Sequence, residues 1–197
     1  MNGPMHTDNK NLIWAEYALR LWGRVLELGP LNGCDTVSLA TNCDRLISVE
    51  GRLSNLTATA QAVAEAGLLN VSIVYDNLET IDLRAFDWFE CAWASGVLYH
   101  LPRPWEFVKK LYYVTDTVFG WSHVSESIAC QVEDYRGRYI DEPVENPLAG
   151  LSPKSFWLVP RDFERMFADC GYTDFRWLSE PSPHVNGGLA GQFVAKY

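Results

Sequence analysis

Four short apolar runs in the first half of the chain each end at an acid or a glycine. Arg24 to Leu28 (RVLEL) carries Glu27 and runs into Gly29-Pro30-Leu31-Asn32-Gly33. Arg45 to Glu50 (RLISVE) ends in Glu50 and is followed by Gly51. Val71 to Tyr75 (VSIVY) is followed by Asp76-Asn77-Leu78, and Asp87 to Ala94 (DWFECAWA) by Ser95-Gly96. Glycine admits φ > 0 and lets backbone N–H groups approach a ligand closely. A carboxylate about one strand-helix unit further on can accept both hydroxyls of a ribose. A single acid after a strand is commonly a solvated turn residue, but four such tips in register define one elongated pocket. Two histidines follow on the same side. His100 comes after the fourth run and His123 ends a fifth, and imidazole titrates near neutrality, so either can act as a base. Each also has a structural reading, His100 as the residue that orients its loop and His123 as a hydrogen-bonded core side chain. Tyr99 can line the ligand or be a buried core aromatic. His6 lies near the N-terminal end, and His184 in the turn-rich SEPSPHVNGG.

The elements that must position these residues alternate. Asp8 can cap a helix running to about Trp22, with Leu12, Ile13, Tyr17, Leu21 and Trp22 near helical spacing. The first strand follows at 24–28, then a short helix over 35–41, a strand over 45–50 and a helix over 54–66 that Gly67 stops. Strands over 71–75 and 87–94, a helix that Pro102 opens and that reaches about Tyr113, and a strand over 115–124 continue the pattern. Residues 125–153 read as polar and irregular. A helix over 161–170 and strands over 173–178 and 192–197 close the chain. Strands alternating with helices predict an α/β fold, a three-layer sandwich around a mostly parallel sheet. The short connection between the last two strands predicts seven strands with one antiparallel strand near the C-terminus. Ligands on such sheets sit beyond the carboxyl ends of the strands.

The 197 residues and their −9 formal charge bound the function. The length fits one domain over residues 1–197. The charge disfavours nucleic acid as a partner, because gripping phosphates takes a basic surface. No stretch approaches the roughly 20 apolar residues of a membrane helix, and MNGPMHTDNK has no apolar signal core. The cysteines at 34, 43, 91, 130 and 170 are odd in number and contain no CxxC pair. Neither a metal site nor a disulfide framework is expected, and reduced thiols fit a cytoplasmic protein.

The glycine loop is not GxGxxG and no Lys-Ser/Thr follows it, so dinucleotide and phosphate-loop fingerprints fit poorly. A ligand with a ribose and a base but no phosphate fits better. S-adenosylmethionine is such a ligand, and its ammonium and sulfonium charges suit an acid-lined site. At this point the chain resembles the class I, Rossmann-like S-adenosylmethionine-dependent methyltransferases over roughly residues 10–125. ELGPLNG matches their ExGxxxG motif, ISVEG their second motif, YDNLE the third, and WASGVLYHLPRPWEFV the segment after the fourth strand. The resemblance implies S-adenosyl-L-methionine as cofactor and S-adenosyl-L-homocysteine as product. It implies that Glu27, Gly29, Pro30, Asn32 and Gly33 flank the methionine part with Ala94 and Ser95, and that Tyr99 lines the cofactor. It further implies Glu50 and Gly51 at the ribose, Asp76 near the adenine amine, and Asn77 and Leu78 along the ring. Pro30 stands where many members carry a small residue. SFWLVP before a helix also resembles the VLYHL subgroup, whose substrates include small metabolites, glycans and a modified tRNA base.

Methyl transfer is an in-line displacement in which positioning carries much of the rate, and a general base helps when the acceptor is a hydroxyl or an ammonium. His123 and His100 are the candidates for that base. The stretch 125–160 interrupts the alternation, as lids and binding segments do, and its Tyr135, Arg136, Arg138, Tyr139, Phe156 and Trp157 supply aromatic and cationic handles. The leading expectation is transfer to an oxygen or nitrogen of a small-molecule acceptor. An RNA-modifying methyltransferase and a non-catalytic cofactor-binding or partner domain are the alternatives.

Overall fold

A computed structural model describes Ile13, residues 23–143 and residues 145–197. The helix expected from Asp8 to Trp22 and His6 lie outside the described residues, Ile13 excepted. Among the described residues, eleven strands and four α-helices follow one another. The first strand is β1 (Arg24–Leu28), followed by α1 (Cys34–Thr41), β2 (Arg45–Glu50), α2 (Leu53–Glu65) and β3 (Val71–Tyr75). Next come β4 (Cys91–Ser95), a 3₁₀ turn at Leu98–His100, α3 (Pro104–Leu111) and β5 (Thr117–Val124). The chain continues through β6 (Cys130–Val132), β7 (Tyr135–Asp141), β8 (Lys154–Leu158) and α4 (Pro160–Asp169). It ends with β9 (Asp174–Trp177), β10 (Ser182–Pro183) and β11 (Leu189–Lys196).

The main sheet runs β10-β11-β5-β4-β1-β2-β3, with β9 also pairing with β11. The pairs β1–β2, β1–β4, β2–β3 and β4–β5 are parallel. β11 is antiparallel to β5, β9 and β10, so it is the one reversed strand. The mostly parallel α/β architecture and the reversed C-terminal strand are as expected. The count is not, because the main sheet has eight strands rather than seven. The two-residue β10, within a proline-rich turn, gives no periodicity to read.

Side-chain alternation sorts the core into two layers. Leu26, Leu28, Ile47 and Val49 face a cluster shared with Phe107, Val108 and Leu111 of α3 and Phe163, Met166 and Phe167 of α4. Val25, Leu46, Cys91 and Trp93 face the opposite cluster with Leu39 and Ala40 of α1 and Ile13. Proline opens two helices, at Pro104 and Pro160, where the missing N–H costs nothing. The expected helix start at Pro102 is therefore two residues early. The fourth strand begins at Cys91 rather than Asp87. Asp87 and Trp88 stay at the surface, Asp87 paired with Arg24 at 2.7 Å and Trp88 51% exposed.

The larger correction concerns residues 125–153. They are not irregular throughout, because β6, β7 and β8 form a separate three-stranded antiparallel sheet. Gly137 makes the β7–β8 pairing close, since a Cβ there would lie 2.0 Å from the Trp157 carbonyl oxygen. Asp162, 1% exposed in the first turn of α4, ties this sheet to the helix. It accepts bonds from the Arg136 backbone N–H at 2.7 Å, from Nε at 2.9 Å and from Nη2 at 2.7 Å.

Candidate active site

β1 pairs with β2 on one side and with β4 on the other, so strand order reverses between β1 and β4. A crevice opens at the carboxyl ends of the strands at such a point. Here it is a cleft of about 490 Å³. Its two ends differ in chemistry.

One end is built by the loops after β1, β2 and β3. Gly29, at φ 63°, donates its N–H to Val49 O at 2.9 Å and starts the turn. Gly33 closes it, donating its N–H to Pro30 O at 3.0 Å. Pro30 is therefore a buried turn residue whose carbonyl, not its ring nitrogen, does the bonding. Leu31 between them has φ 57°, a conformation that a bulky side chain seldom adopts. It aims the Leu31 N–H at Glu50 Oε2, 3.3 Å away. Glu50 Oε1 accepts the Arg52 N–H at 2.8 Å. Glu50 is 6% exposed, and burial raises its pKa above the ordinary glutamate value against the pull of these amides. Asp76 accepts the Asn77 N–H at 2.7 Å, and Asn77 Oδ1 accepts the Glu79 N–H at 2.9 Å, which shapes the third loop.

Glu27 lies deeper, 1% exposed. Its Oε2 accepts hydroxyl bonds from Thr36 at 2.7 Å and Ser48 at 2.6 Å, which join β1 to α1 and β2. Of the residues expected at the cofactor, Glu27, Gly29, Pro30, Asn32, Glu50, Gly51, Asp76, Asn77, Leu78, Ser95 and Tyr99 line the cleft. Gly33 and Ala94 do not. Gly33 serves helix packing, since a Cβ would meet Thr59 Cα at 3.1 Å, and Ala94 is fully buried within β4.

The other end is aromatic. Tyr99 packs edge-on against Trp121, His123 and Trp157, with centroids 5.7, 4.8 and 5.7 Å away. His123 stacks on Trp157 at 4.6 Å and 12°. His184 meets His123 at 4.8 Å from the connection between β10 and β11. Among the described residues, buried Ser95 Oγ, His123 Nδ1 and Trp157 Nε1 have no hydrogen-bond partner, and all three residues line the cleft. Burial, helped by the nearby His184, lowers the His123 pKa to about 4. Between pH 6.5 and 4 the unfolded chain thus binds a proton that the native chain does not. Stability contributed by this residue is present above pH 6.5 and lost as pH falls through that window. Denaturant unfolding at pH 7 and pH 4.5 should show a loss of about 2–3 kcal/mol from this source. His123→Gln should not show it, and an equal loss in that variant would count against the cause.

His100 lines the cleft beside Tyr99. Its Nδ1 lies 2.9 Å from Glu142 Oε1. Glu142 follows β7 directly and was not expected at the site. Its Oε2 accepts the Gly150 N–H at 2.9 Å. Residues 145–152 reach across the cleft to the far loops. Arg52 Nη2 donates to the carbonyls of Ala149 at 3.1 Å and Gly150 at 2.7 Å, and Asn55 Nδ2 to Pro147 O at 3.1 Å. Ser152 Oγ donates to Glu79 at 2.7 Å. Arg52 announces itself only by following Glu50-Gly51. Glu142 and Trp121 carry no sequence signal, because their partners are distant in the chain.

The fold is that of the class I S-adenosylmethionine-dependent methyltransferases. The N-terminal domain of EvdMO1, solved in the presence of SAH and D-fucose, is similar at 25% identity and TM-score 0.86, over 97% of this chain and 83% of that one. A second structure of that domain, with SAH bound, matches at 23% identity and TM-score 0.86 over 98% and 82% of the two chains. The [4+2]-cyclase SpnF shares the fold at 12% identity and TM-score 0.69, over 95% and 79%. No protein-family model matches the chain, nor does any curated protein sequence. Among the described residues no helix is long and apolar enough to cross a membrane.

Proposed function

We propose that the protein is an S-adenosylmethionine-dependent methyltransferase that moves a methyl group to an oxygen or nitrogen of a small-molecule acceptor. The observation that carries this reading is the division of one cleft into an acidic end and an aromatic end, with Ser95 lining it as well. The donor set suits the cofactor. Glu50 can accept ribose hydroxyls, and Glu27, Gly29, Pro30 and Asn32 flank the place for its methionine part. Asp76, Asn77 and Leu78 border the place for the adenine. The orphan Ser95 Oγ offers a donor in the cleft. Bound there, the cofactor supplies an electrophilic methyl on a sulfonium.

The protein's own residues do the rest. The Tyr99, Trp121 and Trp157 rings hold an apolar face of the acceptor, and neutral His123 bonds one of its polar groups. His100 rather than His123 is the base, since a group titrating near pH 4 is poorly matched to proton removal at neutral pH. The loop after Glu142 acts as a lid over the cleft and excludes water. The carboxylates of Glu27, Glu50, Asp76, Glu79 and Glu142 face the cleft, and Arg52 is the one Lys or Arg lining it among the described residues. That balance favours a neutral or cationic acceptor over RNA, and the D-fucose of the EvdMO1 structure fits a small hydroxylated one. Five unpaired thiols suit a reducing, cytoplasmic setting.

Calorimetric titration with S-adenosylmethionine, S-adenosylhomocysteine and NAD tests the reading. The first two should bind and NAD should not; NAD binding alone would sink it. Binding with no transfer of labelled methyl to any panel of hydroxylated and amino acceptors would favour a non-catalytic or, as in the SpnF neighbour, a non-methylating use of the fold.

A further inference from the structure

We infer that Glu142 is a positioning residue which sets the tautomer of His100 and leaves its Nε2 as the proton acceptor in the cleft; this rests on the methyl-transfer reading above. Glu142 is 8% exposed and both of its oxygens are engaged. Oε1 faces His100 Nδ1 at 2.9 Å, and Oε2 takes the Gly150 N–H at 2.9 Å. Burial by itself would raise this carboxyl, but His100, the Ser155 hydroxyl and the Gly150 amide outweigh it and hold it below the ordinary glutamate value. An ionised carboxylate only accepts hydrogen bonds, so Nδ1 must donate. Neutral imidazole carries one ring hydrogen, so Nε2 is left with its lone pair.

The geometry around the pair is tightly determined. Gly150 approaches so closely that a Cβ would lie 2.5 Å from the His100 carbonyl oxygen. The turn that carries His100 is tied to β8 by the Phe156 N–H donating to Leu101 O at 3.0 Å. His100 belongs to the turn after β4, and Glu142 is held at the end of β7 by its own N–H, which donates to Pro153 O at 2.9 Å. In the reaction, the acceptor's proton passes to Nε2 as its oxygen or nitrogen bonds the methyl carbon. The carbon–sulfur bond breaks, its electron pair returns to sulfur, and the imidazolium is left beside the Glu142 carboxylate.

The Gly150 N–H makes the test sharp. In Glu142→Gln the amide oxygen is drawn to that N–H, which turns the NH₂ group toward His100. Nδ1 must then accept, and the hydrogen moves to Nε2. Long-range proton–nitrogen spectra of the histidine-labelled full chain at alkaline pH read which nitrogen carries hydrogen, with His100→Gln giving the assignment. Wild type should show hydrogen on Nδ1, and Glu142→Gln should invert it. Hydrogen already on Nε2 in the wild type, or a tautomer untouched by the substitution, overturns the inference. Once an acceptor takes label, Glu142→Gln should lower kcat about 10²-fold with KM and SAH affinity essentially unchanged. It should cost nothing further in a His100→Gln background, and additive losses would assign Glu142 a merely structural role. Failure of wild type to bind SAH sinks the methyl-transfer reading but leaves the tautomer result standing.

Discussion

Glu50→Ala should weaken SAH binding by roughly 10²–10⁴-fold and leave the fold intact. Two ribose hydroxyls donating to one carboxylate make two charge-assisted bonds of about 1.5–3 kcal/mol each, and every 1.4 kcal/mol is about tenfold in affinity. Stability should change little, because the alanine removes a buried charge along with its bonds to the Leu31 and Arg52 amides. The pH dependence follows from the direction of the shift. Glu50 has a raised pKa in the folded chain, so its proton is bound more tightly there than in the unfolded chain. Its own contribution to stability therefore grows as pH falls through that raised value. Ligand hydroxyls donate to the ionised form, so affinity should fall over the same range, at higher pH than an ordinary glutamate would give. Calorimetry from pH 7.5 downward checks this. Unchanged affinity in Glu50→Ala would remove the residue from the cofactor site.

Asp162→Ala should be the most damaging change to stability. Its carboxylate is 1% exposed and holds three donors of Arg136. Removing one partner of a buried pair costs roughly 3–5 kcal/mol. Arg136 is 38% exposed and can be rehydrated, so the low end applies, about 3 kcal/mol. For a chain of this size that corresponds to a fall of roughly 6–12 °C in Tm. The Arg136 guanidinium, above all other causes, lowers the Asp162 pKa from its ordinary 3.8. The stabilisation is thus complete above that value and lost as pH falls through the lowered one. Melting curves of wild type and variant should differ at pH 7 and converge in strong acid. A variant that melts with wild type at pH 7 would show the pair to be dispensable.

Much of this protein was legible from its residues. β1, β2 and β3 were readable to the residue, because their apolar runs are short, β-branched and cut off by glycine or an acid. The acidic end of the cleft was readable for the same reason, each acid being local to its own strand tip. The aromatic end was readable only in part, as single residues: Tyr99, His123 and Trp157 were expected there, but Trp121 and their meeting were not. Trp121, His123 and Trp157 meet across two sheets, and nothing in a sequence period reports a neighbour in another sheet. Residues 125–153 read as irregular because β6 has three residues and β7 is only partly buried, so neither shows clean alternation. Glu142 was invisible for a plainer reason. Its meaning lies in a partner 42 residues earlier and in a backbone amide, and neither leaves a motif.

The reversed β11 also bears on how the molecule is made. It pairs with β5 along eight positions, from Leu189 opposite Val124 to Lys196 opposite Thr117. The parallel pairs β1–β2, β2–β3 and β4–β5 join stretches closer in sequence, such as Val25 with Leu46, whereas β1–β4 spans as far, joining Val25 with Cys91. The outer side of β5 can be covered only after residues 189–196 emerge. Until then the aromatic wall around His123 lacks its backing strand. Loop-closure entropy must be met before such long-range pairs contribute, and chains dominated by them fold slowly. In topological terms, the half of the cleft that would hold the acceptor is thus completed only when the last strand of the chain is in place.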